Sequence, residues 1–137
     1  NSIYREEEVT LEERYAWYDE KVEHGFPIFG AYDGEKLIGY AGYGAFRPAQ
    51  GYRKTVELTI YVNTAARGNG TGKALMQTII DQATADGYHV MIGAIDSANQ
   101  SSIDFHKKFG FTETARMPEV ALKNGQWLDL VFMQKRL

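Results

Sequence analysis

The chemistry in this sequence concentrates between residues 57 and 73, where Glu57 stands in an alternating apolar run that leads to Arg67-Gly68-Asn69-Gly70-Thr71-Gly72-Lys73. A glycine loop between a strand and a helix gathers successive backbone N–H groups and the positive end of the helix dipole on one point, and such a point binds phosphate. The glycines permit positive φ and close approach of a ligand to the main chain, while Arg67 and Lys73 add positive charge. For a glycine pair alone, an ordinary strand-to-helix turn stays open as the alternative. Spacing separates the rival phosphate motifs. A P-loop needs a glycine where Arg67 stands and a serine or threonine where Ala74 stands, and the dinucleotide fingerprint needs a glycine where Lys73 stands. ATP or GTP hydrolysis and NAD binding are both disfavoured.

Composition narrows the chemistry further. The chain has no cysteine, which removes disulfides, cysteine-rich zinc sites and a thiolate nucleophile, and leaves serine, histidine and carboxylates as candidate catalysts. Its three histidines and scattered carboxylates form no metal-ligand cluster, so no metal is expected. A net charge of −3 argues against a nucleic-acid module, whose affinity rests on a basic face. No apolar run approaches the ~18 residues of a membrane span. The expectation is a soluble, cytoplasmic protein of one domain over residues 1–137, since 137 residues with 44% hydrophobic content suffice for one core.

The elements that must position the loop are legible in the pattern. Leu11, Tyr15, Tyr18 and Val22 have helical spacing behind a Thr10–Glu13 capping box. Pro27 to Tyr32 and Lys36 to Phe46 read as strands joined at Asp33-Gly34. Lys54 to Val62 alternates, with Val56, Leu58, Ile60 and Val62 on one face and Glu57, Thr59 and Tyr61 on the other. After the loop, Leu75, Met76, Ile79, Ile80 and Ala83 form a helical stripe that ends near Gly87. A strand over His89 to Ile95, a helix over Ser101 to Phe109 and a hairpin around Asn124-Gly125 complete the chain. The order predicts an α/β or α+β domain with a mixed sheet and helices packed on it, its ligands at the loops after Val62 and Ile95.

Arg-x-x-Gly-x-Gly after an apolar strand, followed by Asn99, Ser102, Phe105 and Gly110-Phe111, resembles the GNAT superfamily of acetyl-CoA-dependent acyltransferases. Thr55-Val56-Glu57 with Tyr61-Val62, Ser102 to His106, and Gly125-Gln126-Trp127-Leu128-Asp129 narrow the resemblance to the branch that acetylates phosphinothricin and methionine sulfoximine or sulfone. The likeness runs from Ile3 to Leu137, and relative to that branch the chain lacks the first strand and most of the first helix. With Asn1 in place of a methionine, this raises the expectation of a chain that has lost its natural beginning and is either marginally stable or a remnant of a longer protein.

The resemblance implies a mostly antiparallel twisted sheet and acetyl-CoA as co-substrate, its pyrophosphate gripped by residues 67 to 73, with Asn99 and Ser102 as further cofactor contacts. It implies main-chain donors at Tyr61 and Val62 for the thioester oxygen. Amine acylation needs a base to remove the ammonium proton, and Glu57 is the carboxylate in the strand leading to the loop. His106 stands where most of the superfamily has a tyrosine acid, and its roles stay open: an acid, a residue that steers a water, a ligand contact, or a core histidine. A substrate carboxylate suits Arg47 and Arg53, with Phe46 and Tyr52 packing beside them and Tyr4 at a further substrate-lining position. Small amino acids are the expected substrates and a homodimer through the Trp127 hairpin the expected assembly. A catalytically silent acetyl-CoA sensor and a protein or peptide N-acetyltransferase are the alternatives.

Overall fold

The computed structural model describes residues 25–64 and 70–137. Strands β1 (Ile28–Asp33), β2 (Lys36–Ala45) and β3 (Thr55–Val62) come first, with a single 3-10 turn, Gln50–Tyr52, between β2 and β3. Helix α1 (Thr71–Ala85), strand β4 (Val90–Asp96), helix α2 (Gln100–Lys108) and strands β5 (Thr112–Lys123) and β6 (Gln126–Arg136) follow. The six strands form one sheet in the order β1-β2-β3-β4-β6-β5, and only β3 and β4 are parallel neighbours. The expected mixed sheet is therefore present. The helix over Leu11 to Val22 lies outside the described residues.

Turn chemistry sets the two hairpins. Asn124 and Gly125 both have positive φ, 50° and 74°, the type I′ geometry whose twist matches that of the flanking strands. The first hairpin turns one residue later than its sequence suggests. Asp33 still pairs with Lys36, and the loop is Gly34-Glu35 with Gly34 at φ 63°, which places glycine at the first central position of a II′-type turn.

Both helices end the same way. At α1, Gly87 N–H donates to Thr84 O and Tyr88 N–H to Ala83 O; at α2, Gly110 N–H donates to Lys107 O and Phe111 N–H to His106 O. These are Schellman closures, each with its positive-φ glycine just past the helix. The buried stripe of α1, Leu75, Met76, Ile79, Ile80 and Ala83, packs with Val56, Leu58, Met91, Ile95 and Ile103 into one core on one face of the sheet. Glycine is required at position 39, where a Cβ would lie 2.8 Å from Tyr61 O and 3.2 Å from Leu75 Cδ1; its absence lets β2 pass close to β3 and α1. Among the described residues no helix is long and apolar enough to cross a membrane.

Candidate active site

The site begins where two parallel strands part. β3 pairs with β4 at Thr55–Val90, Val56–Met91 and Glu57–Ile92, and there the pairing stops. Beyond it β3 stays on β2 as far as Gly39–Val62, and β4 stays on β6 as far as Asp96–Leu130. Each strand follows its antiparallel partner, so a wedge opens between Leu58–Val62 and Gly93–Asp96. The β2–β3 register runs without a shift, so the main chain of β3 reaches the wedge by splay and not by a bulge. Parity decides which groups face it. Asn63 N–H donates to Ile38 O, so odd-numbered residues of β3 bond towards β2, and the N–H groups of Ile60 and Val62 turn to the β4 side. Val62 thus has the orientation that a donor in the wedge requires, whereas the Tyr61 N–H faces β2.

His106 plugs the root of this wedge from the helix face. The residue is 3% exposed, and its Nδ1 lies 2.7 Å from Ser102 O. A carbonyl accepts only, so Nδ1 carries the proton and the neutral ring presents Nε2 as a bare acceptor. Burial lowers the imidazole below its ordinary pKa of 6.5, outweighing the Ser102 bond, which pushes the other way. The opposite wall is Gly93, where a Cβ would meet His106 Cδ2 and Nε2 at 3.0 Å and Leu58 Cδ2 at 3.7 Å. Phe111 packs against the ring with centroids 5.3 Å apart.

Glu57 occupies the last paired position of β3, opposite Gly44 on β2 and Ile92 on β4. It is half-buried and shares its face with Thr59 and Tyr61, away from the core positions Val56 and Leu58. Tyr61 stacks at 5.5 Å on its cross-strand neighbour Tyr40. The carboxylate thus stands on the sheet face opposite His106, at the same point of strand divergence.

The phosphate end of the site is the start of α1. Gly70, at φ 85°, is the N-cap and has no side chain with which to cap the helix, and the first turn holds no acidic residue. Thr71, Gly72 and Lys73 form that turn, which suits an anion. Arg67, Gly68 and Asn69 lie outside the described residues, as does Tyr4. Asn99 caps α2: its Oδ1 accepts from Ser102 N–H and from Ser101 Oγ, each at 3.1 Å. Ser102 in turn bonds His106 through its carbonyl, so the Asn99-x-x-Ser102 spacing orients the histidine through the helix itself. Among the substrate candidates, Phe46 and Tyr52 make an edge contact at 6.0 Å and the Arg47 guanidinium lies 4.9 Å over the Phe46 ring. Arg53 is exposed and donates to Gln50 O at 3.1 Å, closing the 3-10 turn.

Sequence reasoning gave no site role to Gly93 and Asp96, which shape the site, or to Asp129, which it met only in the hairpin motif and which braces the hairpin. Gly93 admits the His106 ring. Asp96, 6% exposed, accepts from Ala98 N–H at 2.8 Å and bends the chain into α2. Asp129 accepts from Arg116 at 3.2 Å and from Glu119 N–H at 3.1 Å across an irregular stretch of β5 where Glu119 takes φ 54°. The short polar Asp96-Ser-Ala-Asn99 turn carried a readable signal; a glycine inside an apolar strand carried a weaker one.

Residues 1–111 match the Acetyltransferase (GNAT) family. The chain belongs to that family. This GNAT acetyltransferase is 45% identical, over 137 residues, to an L-methionine sulfoximine/L-methionine sulfone acetyltransferase of Pseudomonas aeruginosa, covering 99% of this chain and 80% of that protein. It resembles a GNAT phosphinothricin acetyltransferase of Sinorhizobium meliloti solved in complex with acetyl-CoA, with 37% identity and a TM-score of 0.90; the match covers 100% of this chain and 76% of the other. It also resembles a ribosomal-protein-alanine N-acetyltransferase of Brucella melitensis at 41% identity and a TM-score of 0.91, covering 99% of this chain and 84% of the other.

Proposed function

We propose that this acetyltransferase moves acetyl from acetyl-CoA to the α-amine of a small amino acid of the methionine sulfone, methionine sulfoximine or phosphinothricin type. The observation that carries the reading is the wedge between β3 and β4, which starts at Glu57 and ends beside the Gly70-capped, acid-free first turn of α1. An extended ligand fits this arrangement, its anionic end on the α1 turn and its other end at the strands. Acetyl-CoA supplies an acyl group activated as a thioester. Glu57 takes the proton from the substrate ammonium, directly or through water, which frees the nitrogen lone pair to form the C–N bond as the C–S bond breaks; the second proton lost from nitrogen ends on the departing sulfur, which leaves as the coenzyme A thiol. The Val62 N–H donates to the carbonyl oxygen as it gathers negative charge. His106, neutral with its proton on Nδ1, serves as an acceptor and a packing wedge, and has no Nε2 proton to donate at neutral pH.

The relative of Pseudomonas aeruginosa supports the substrate class. The neighbour from Brucella melitensis favours a second reading, transfer to a protein N-terminal alanine, which also offers an α-amine. Met117, Val120, Leu122 and Trp127, each 45–61% exposed, support a homodimer through the β5–β6 hairpin. A thiol-release assay with acetyl-CoA tests the reading on the sulfone, the sulfoximine, phosphinothricin and an alanine-starting peptide. Turnover of the amino acids, with Glu57→Gln slowing kcat by roughly 10²–10⁴-fold, is expected. A Glu57→Gln enzyme with an unchanged rate across pH removes Glu57 as the base. Turnover of the peptide alone replaces the substrate class.

A further inference from the structure

A buried acid on the Glu57 face takes no part in the acyl transfer described above. Asp96, the last residue of β4, is 6% exposed. Strand pairing fixes its side of the sheet. Glu57 stands level with Ile92, and alternation along β4 carries Ile92, Ala94 and Asp96 to the face of Glu57, while Met91 and Ile95 enter the core on the other. The Asp96 Oδ1 accepts from the Ala98 N–H at 2.8 Å. Among the described residues nothing donates to Oδ2, and no cation pairs with the carboxylate. A carboxylate offers about four acceptor sites, and burying one with most of them unfilled is unfavourable unless a donor arrives.

A cation, the base and this acid follow one another along the face. The Arg47 guanidinium lies over the Phe46 ring, and the Phe46 N–H donates to Thr55 O at 3.4 Å, two residues before Glu57. In the other direction Asp96 stands about 13 Å beyond the level of Glu57, the rise of β4 from Ile92 to Asp96. The stretch between the two acids is apolar: Ile92 and Ala94 on β4, with Phe132 and Leu130 beside Ala94 and Asp96 on β6. An amino acid with its amine at Glu57 and its carboxylate turned to Arg47 has one direction left for its side chain, over this apolar stretch to Asp96. In methionine sulfoximine five bonds, about 6 Å, separate the amine nitrogen from the sulfoximine nitrogen, and a hydrogen bond at each end adds about 3 Å. That length matches the spacing of the two acids. We propose that Asp96 reads the tip of the substrate side chain, accepting from a sulfoximine N–H and rejecting an anionic tip such as the phosphinate of phosphinothricin. The sulfone, whose oxygens only accept, falls between them. The assignment deepens the amino-acid reading above and rests on it. Preference comes from a charge-assisted hydrogen bond, and rejection from two anions brought together away from water. A purely structural role competes. Asp96 closes the turn before α2 and places a carboxylate near the N-terminus of that helix, where an anion is favourable. That role gives no rank order among substrates.

Thiol release with acetyl-CoA, read as kcat/KM for the three amino acids on the wild type, Asp96→Asn and Asp96→Ser, separates the two. Both replacements keep an oxygen for the Ala98 N–H and remove the charge. The ratio between two substrates on one protein does not depend on how much of that protein is folded. The wild type should prefer the sulfoximine to the sulfone, and the sulfone to phosphinothricin, by roughly tenfold at each step. Asp96→Asn puts an N–H donor where Oδ2 was, so it should reverse this order, chiefly through KM, and Asp96→Ser should flatten it. Ratios equal to those of the wild type in both variants overturn the assignment, as does a wild type that acetylates phosphinothricin as well as the sulfoximine. Either result leaves the transferase reading in place. A wild type that acetylates an alanine-starting peptide and none of the three amino acids removes that reading and the role of Asp96 with it.

Discussion

Replacing Gly93 by alanine puts a methyl group 3.0 Å from two atoms of the His106 ring and 3.7 Å from Leu58 Cδ2. Ordinary carbon contacts begin near 3.5 Å, so the ring must retreat by several tenths of an ångström. Its freedom to do so is small. Nδ1 is held by Ser102 O at 2.7 Å, Phe111 packs on one side, and the residue is 3% exposed. Overpacking of this kind costs about 1–3 kcal/mol, with ~1 kcal/mol more if the Ser102 bond breaks. Urea unfolding measures it: the midpoint should fall with an unchanged slope. A cycle with His106→Ala isolates the clash, because without the ring the new methyl has room and should cost under about 0.5 kcal/mol or stabilise. A Gly93→Ala cost that is the same in both backgrounds, or negligible in the wild type, would refute the claim that the histidine sits in the space left by the missing side chain.

The protonation of His106 should appear in the pH dependence of stability. Burial lowers its folded pKa, so below about 6.5 the unfolded state binds the proton more readily. Its contribution is complete above that pH and falls away as pH drops from there towards the folded pKa; His106→Gln should abolish this part of the slope, and parallel curves for the two proteins would contradict it. Asp129→Ala removes the acceptor for Arg116 and for the Glu119 N–H, both at exposed positions, and should cost about 1 kcal/mol in urea unfolding. Hydrogen exchange at Glu119 should accelerate in that variant, and unaltered protection there would show that Asp129 does not hold the irregular stretch of β5.

The parts of this fold that local chemistry dictates were legible in its residues. Asn124-Gly125 requires a I′ turn, alternation in Val56 to Val62 requires one buried face, and Gly87 and Gly110 stop helices because only glycine takes their φ readily. The wedge was not legible from pattern alone, because it belongs to no single segment. It arises from a competition in which β3 keeps β2 and β4 keeps β6 once three parallel pairs have formed. The same limit explains Gly93, which reads as a weak point in a strand until a helix from elsewhere in the chain fills the gap. It explains Asn99 as well: the side chain that marked a ligand loop by resemblance caps α2, and it reaches the site through Ser102 and His106. Residues that bond locally can be placed from sequence. Those whose partner arrives through strand order or helix docking need the fold, and here these residues line the place where the strands diverge.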